Sequence, residues 1–169
     1  LAELPLLSDP QMVNELRTHM TDAAAPTPSV EAILHAILPY TYVDHTHADA
    51  VVTLCNTPGG TQRIRALYGD RVVVIPYVMP GFDLARLCAE IFPRERNGRT
   101  IGMVLMNHGV FSFGDTARES YERMIELVSL AEAELQARDA WTLDWDPAVR
   151  QTGPLRLELA DLRRRLSDM

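Results

Sequence analysis

Val43-Asp44-His45-Thr46-His47 is the stretch that decides how this chain is read. Positions 43, 45 and 47 fall on one side of a β-strand, because successive strand side chains point to opposite faces. Residues two apart on that side have Cα atoms roughly 6 to 7 Å apart, so the two imidazoles can converge on one divalent ion with Zn–N distances of about 2.0 to 2.1 Å. A His-x-His pair also occurs in exposed strands that hold no metal. His108, in Asn107-His108-Gly109, supplies a third imidazole at the exit of the apolar run Ile101-Gly102-Met103-Val104-Leu105-Met106, and Gly109 removes side-chain bulk beside it. The competing reading of His108 is an ordinary hydrogen-bonded histidine at a strand end. His47 and His108 stand 61 positions apart, a separation that suits a site assembled by a sheet rather than by a local loop.

Working outward, the strand reading runs over 41–54, with a helix as the competing assignment beyond Ala48-Asp49-Ala50. Upstream, Met12 to Met20 reads as a short helix with His19 as a polar surface residue near its end. Ser29 reads as the cap of a second helix that Pro39 closes after Leu38. Glu31 lies in its first turn, where its charge suits the helix dipole. Downstream, Asn56-Thr57-Pro58-Gly59-Gly60 makes a turn and 61–68 a short helix. Arg71-Val72-Val73-Val74-Ile75-Pro76-Tyr77 is rich in β-branched residues and reads as a strand buried on both faces. A helix from Gly81 ends near Pro93, a loop follows over 94–99, and 101–106 forms the third buried strand. Val110 to Gly114 makes a short return strand, and Thr116-Ala117-Arg118-Glu119 matches a capping box. Tyr121, Met124, Val128, Ala131 and Leu135 then give an apolar stripe down a long helix, and Leu155, Leu159, Leu162 and Leu166 repeat the pattern on a charged one.

The chain of 169 residues is 47 % hydrophobic and 23 % charged, enough for one core and too little for two. A formal charge of -7 with no sustained basic stripe argues against a large nucleic-acid footprint or an anionic membrane surface. No run approaches the roughly 18 apolar residues needed to span a bilayer, and the first 30 residues lack a signal peptide's pattern, which points to a cytoplasmic setting. Cys55 and Cys88 form no close-spaced pair and read as buried small residues rather than as a disulfide framework.

Three neutral imidazoles leave the charge of a divalent ion uncancelled, so an ion held by His45, His47 and His108 is a strong Lewis acid with room for water or substrate. Zinc suits an imidazole-rich site first, and cobalt, nickel, manganese and iron share the same ligands. Glu31 is the candidate fourth partner, either binding the metal of the empty site or moving a proton; the bland alternative is an exposed first-turn glutamate. His35 shares a helix face with Glu31 and either orients that carboxylate, caps a neighbouring group or fills a core gap. Asp44 and Asp49 flank the histidine pair and are candidates for orienting the ligands rather than for ligation. Arg63, Arg65 and Arg71 are candidates for meeting phosphate, with plain surface charge as the alternative.

The arrangement Pro28-Ser29-Val30-Glu31 with His35, then His45-Thr46-His47, then Asn107-His108-Gly109 with Gly114 ahead of the long helix, resembles the class II aldolase/adducin family over roughly residues 26 to 140. The strings Val43 to Ala50, Ile75 to Gly81 and Phe113 to Tyr121 look most like the aldolase part of bifunctional rhamnulose-1-phosphate aldolase/alcohol dehydrogenase proteins. The resemblance implies an α/β fold, an α/β/α sandwich around a mainly antiparallel sheet, N-terminally incomplete here because no Gly-Asn-x-Ser phosphate segment precedes Glu31. It implies zinc on His45, His47 and His108, with Glu31 as the general base. The implied reaction is reversible cleavage of a ketose 1-phosphate into dihydroxyacetone phosphate and an aldehyde by a metal-dependent lyase, with a sugar phosphate as small-molecule partner and a homo-oligomer, commonly a tetramer, as the assembly. The alternatives are a pentulose-phosphate 4-epimerase, which uses the same retro-aldol logic, and a non-catalytic adducin-like interaction module. A zinc-dependent hydrolase has no supporting string. The expected division is an N-terminal extension or remnant over 1–25, a class II aldolase-like core over 26–145, and a C-terminal amphipathic helix or linker over 146–169. The sequence contains no lysine, which argues against Schiff-base aldolase chemistry, and no Gly-x-x-x-Gly-x-Gly nucleotide loop.

Overall fold

The apolar runs read as strands meet in one four-stranded sheet in the computed structural model, which describes residues 1, 4, 6–141 and 155–167. The strands are β1 (Tyr42–Thr46), β2 (Val72–Ile75), β3 (Gly102–Leu105) and β4 (Gly109–Gly114), in the spatial order β1-β4-β3-β2. β4 is antiparallel to both neighbours, while β2 and β3 are parallel and are joined through a crossover helix. The helices are α1 (Asp9–Thr18), α2 (Ala32–Ile37), α3 (Asp49–Cys55), α4 (Gly60–Tyr68), α5 (Phe82–Glu95), α6 (Ala117–Ala137) and α7 (Leu155–Ser167). The expected boundary at 145/146 lies outside the described residues.

Alternation along each strand divides the core in two. Val73, Ile75, Met103, Leu105, Phe111 and Phe113 face one side and pack with Met12 of α1, Ile33 and Leu34 of α2, and Phe82, Leu84, Cys88 and Phe92 of α5. Val72, Val74, Val104 and Val110 face the other, against Val51 and Leu54 of α3, Ile64 and Tyr68 of α4, and Leu127, Ala131 and Leu135 of α6. The result is the α/β/α sandwich around a mixed, mainly antiparallel sheet. The first layer is tied to the N-terminal helix by Asp9, whose carboxylate accepts the Phe82 N–H at 3.0 Å, at the start of α5. The second is tied by the Tyr68 hydroxyl, which donates to the Leu127 carbonyl at 2.8 Å across the α4–α6 contact.

Several element boundaries differ from those read in the sequence. The strand expected over 41–54 stops at Thr46, and the helical alternative takes over as α3, because Ala50, Val51, Leu54 and Cys55 are buried at helical spacing. α5 passes through Pro93 and ends two residues later at Glu95, with the ring removing the one hydrogen bond that an N–H at 93 would donate four residues back. On α6 the buried stripe is Ser120, Met124, Leu127, Ala131 and Leu135, whereas Tyr121 is 62 % exposed. The Thr116 hydroxyl caps α6 by accepting the Glu119 N–H, but the Glu119 carboxylate reaches back to the Asp115 N–H instead of closing the box on Thr116. Cys55 and Cys88 are both buried, as expected. Leu157, Leu159, Leu162 and Leu166 of α7 are exposed. Among the described residues no helix is long and apolar enough to cross a membrane.

Candidate metal centre

β1 and β3 are each antiparallel to β4, so they run the same way and their carboxyl ends lie at one edge of the sheet. His45 lies near the end of β1 and His47 directly after it, on the face that carries the first core; His108 follows β3 in the turn to β4. That turn is short because Asn107 adopts a left-handed backbone conformation at φ 60, which asparagine tolerates better than most residues. Its side-chain amide donates to Asn56 Oδ1 at 2.6 Å, anchoring the turn to the end of α3, and the His108 N–H donates to the Leu105 carbonyl. Gly109 is the residue that leaves room. A Cβ there would stand 2.6 Å from the Thr46 carbonyl oxygen and 3.0 and 3.1 Å from ring carbons of His47 and His45.

Glu31 arrives from the other direction. The Ser29 hydroxyl accepts the Glu31 N–H at 3.1 Å and the Ser29 carbonyl accepts that of Ala32, so the chain turns just before α2. Ser29 is therefore a turn residue and not the expected helix cap: α2 begins at Ala32, Glu31 is its N-cap rather than a first-turn glutamate, and no side chain caps it. From that turn Glu31 Oε1 reaches 2.8 Å from His108 Nε2 and 3.1 Å from His45 Nε2, while His47 Nε2 lies 3.1 Å from His45 Nε2. The four residues expected at the site, Glu31, His45, His47 and His108, each offer a ligand atom, and all four atoms lie within 4.8 Å of one another.

The donor set fits a divalent cation. A tetrahedron with legs of about 2.0 to 2.1 Å has edges of roughly 3.3 Å, close to the separations of 2.8, 3.1 and 3.1 Å given above. Glu31 Oε1 is buried beside two imidazoles with no well-formed hydrogen bond, so its charge is available to a cation. Burial holds the His45 pKa below the ordinary histidine range, against the pull of the Glu31 carboxylate and the Val110 carbonyl, and His108 and His47 push it further down. Burial likewise lowers His108, with Glu31 opposing. Both rings are therefore neutral near neutral pH, the form that can ligate. His45 Nδ1 lies 3.1 Å from the Val110 carbonyl, an acceptor that puts the ring proton on Nδ1 and leaves Nε2 as the free donor of a lone pair. His108 Nδ1 is buried without such a partner.

The remaining candidates fall elsewhere. His35 is exposed and meets the Phe111 ring edge-on at 5.3 Å, so it fills no core gap, and it lies outside the cluster. Asp44 and Asp49 are exposed and outside the cluster. Arg71 pairs with Glu126, Arg63 donates to Thr57, and Arg65 is exposed. His19 is a surface residue beside Glu15, as expected. Motif reading did not find the Val110 carbonyl, the Asn56–Asn107 pair, or Phe111, which stacks on His45 with ring centroids 4.1 Å apart. The only written signal for any of them was the asparagine preceding His108.

Comparison with known proteins bears on the whole of this arrangement. The chain is 39 % identical over 133 residues to YuxG, an uncharacterized oxidoreductase of Bacillus subtilis (strain 168); these residues are 78 % of this chain but 19 % of the relative, so the chain spans about a fifth of that protein's length. It is similar to the N-terminal class II aldolase domain of a conserved protein from Thermoplasma acidophilum, with 42 % identity and a TM-score of 0.71, covering 79 % of this chain and 61 % of that one. The sugar-phosphate aldolase from Thermotoga maritima shares the fold at 18 % identity and a TM-score of 0.56, covering 70 % of this chain and 58 % of the other. The family model described as the Class II Aldolase and Adducin N-terminal domain matches residues 7–135, a span that takes in every strand and all four clustered side chains, and on that match the chain belongs to the class II aldolase and adducin family.

Proposed function

We propose that this domain is a zinc-dependent lyase that cleaves a ketose 1-phosphate of the rhamnulose 1-phosphate type into dihydroxyacetone phosphate and an aldehyde. The observation that carries the reading is the single carboxylate oxygen of Glu31 lying within about 3 Å of two imidazoles, with the third beside them. His45, His47 and His108 hold the ion. When bound, a divalent ion supplies electrophilic stabilisation of the negative charge that develops on the ketose carbonyl oxygen. Cleavage moves the C3–C4 electron pair onto C3 as a base takes the C4 hydroxyl proton, and C4 becomes the aldehyde carbon. Glu31, in its carboxylic acid form, then delivers a proton to C3 of the enediolate and is left as the carboxylate; in the reverse direction it removes that proton. Val110 keeps His45 in one tautomer throughout, and Gly109 keeps the two paired rings within reach of the third.

The domain is also proposed to correspond to the aldolase part of a bifunctional protein, in keeping with the small share of the Bacillus relative that it spans. No oxidoreductase step is assigned to these residues, which contain no Gly-x-x-x-Gly-x-Gly loop. Metal content and proton exchange test it together. Purified chain is expected to hold about one zinc per subunit, with a marked loss in His45→Ala, His47→Ala and His108→Ala. Glu31→Gln is expected to bind dihydroxyacetone phosphate yet lose exchange of its C3 proton with solvent by about 10²-fold or more. Undiminished zinc in the histidine variants, or unchanged exchange in Glu31→Gln, refutes the corresponding role. Release of free aldehyde separates cleavage from epimerisation.

A further inference from the structure

We propose that Phe111 is a positioning residue that locks the ring plane of His45 for ligation, an inference that rests on the metal reading above. Phe111 is the direct cross-strand partner of His45 in the β1–β4 ladder and of Met103 in the β3–β4 ladder, so it stands between the metal centre and the middle of the sheet. It is fully buried, and its ring lies nearly parallel to the His45 imidazole, at 15° with centroids 4.1 Å apart. His35 closes against the same ring at 62°, which limits its freedom on another side.

The Val110 carbonyl alone does not fix His45. A hydrogen bond to Nδ1 sets the direction of one N–H but leaves the imidazole free to rock about that bond, and rocking swings Nε2 away from the point where His47 Nε2 and Glu31 Oε1 meet it. A flat ring in face contact removes that motion. The two restraints are consecutive in sequence: Val110 turns its carbonyl to the imidazole edge and Phe111 covers the imidazole face. Phe113, two positions along the same strand face, offers an internal contrast. It is equally buried and stacks equally well, at 14° and 4.1 Å, but on Tyr40, with no histidine in face contact. Orientation of a ligand is worth about tenfold to a hundredfold in metal affinity where it has been removed in other metal sites.

The test uses the full chain in four forms: wild type, Phe111→Leu, Phe111→Met and Phe113→Leu. Zinc titration against a competing chelator is expected to show binding weakened about tenfold or more by either change at Phe111, with Phe113→Leu staying close to wild type although it loses comparable thermal stability. Affinity unchanged at Phe111, or reduced as much by Phe113→Leu, overturns the inference. Proton NMR of metal-free wild type supplies a readout that needs no variant. The His45 ring protons are expected to be displaced upfield by the Phe111 ring current, and an undisplaced His45 signal overturns the inference by itself. A wild-type chain that takes up no zinc overturns the metal reading and this inference with it, whereas tight zinc binding indifferent to Phe111 overturns this inference alone.

Discussion

The pairing of His45 with His47 was legible in residue type and spacing, since His-x-His fixes a shared strand face whatever the sheet around it, whereas His108 and Glu31 were candidates that the family resemblance joined to that pair. What could not be read was the set of groups that aim them. A backbone carbonyl at Val110 carries no letter of its own, and the face contact of Phe111 depends on the register of β1 against β4, which neither strand states alone. Gly109 stands between these cases, since a small residue beside His108 was visible but the two imidazoles that fill its missing side chain were not. Gly109→Ala is expected to cost about 1 to 3 kcal/mol of stability, because the backbone oxygen of Thr46 cannot yield, and to weaken zinc binding as the two rings are pushed apart; thermal melts and chelator titration measure the two effects. The pH dependence follows from burial. Folded His45 and His108 have pKa values below the unfolded value of about 6.5. As pH falls below about 6.5 the unfolded chain takes up protons that the folded chain does not, so the stability these neutral rings contribute is present above that pH and is progressively lost until the lowered folded values are passed. Urea midpoints of metal-free protein between about pH 8 and pH 5 are expected to fall with acid, less steeply in His45→Asn. A wild-type midpoint that rises with acid contradicts the sign.

At the scale of elements, the sequence told strand from helix wherever one period held, and misplaced the ends where two were in competition. Val51 and Val52 are good strand residues, yet burial of Ala50, Val51, Leu54 and Cys55 on α3 outweighs their propensity. Ending β1 at Thr46 matters to the site, since it frees His47 from the ladder. The long helix shows how a stripe can be misjudged by one position. Tyr121 fits a three-residue step to Met124, but the sheet sees Ser120 one position earlier, a small residue whose carbonyl accepts the buried Ser112 hydroxyl at 2.8 Å. Leu127 then lies under the sheet, and a Cβ at Gly102 would stand 2.5 Å from its Cδ1. Leu127→Ala is accordingly expected to destabilise by about 2 to 5 kcal/mol, and Tyr121→Ala by about 0.5 kcal/mol or less. Denaturant melts of the two variants decide between the observed face of α6 and the one the tyrosine suggested.

Whole-molecule architecture and chemistry meet at the carboxyl edge of the sheet. β1, β2 and β3 all point there, β4 returns from it, and the crevice outside such strand ends is where α/β folds gather their ligand-binding loops. No single segment could have disclosed this, because the edge order β1-β4-β3-β2 depends on a crossover helix between parallel strands and a tight turn between antiparallel ones. Composition restricts the chemistry available at that edge. The 16 basic side chains are all arginine, whose guanidinium stays protonated and cannot condense with a carbonyl, so the proposed cleavage calls on electrophilic stabilisation and on no lysine imine within these residues. The two routes make opposite demands on reagents. Sodium borohydride added with dihydroxyacetone phosphate is expected to leave the protein's mass and cleavage activity unchanged, since reduction can trap only an imine. Chelation is expected to abolish cleavage, and added zinc to restore it in wild type but not in His108→Ala, whose cluster has lost the ligand supplied from the turn between β3 and β4. A borohydride-stable adduct on the chain, or cleavage that persists through exhaustive chelation, contradicts that account of the chemistry.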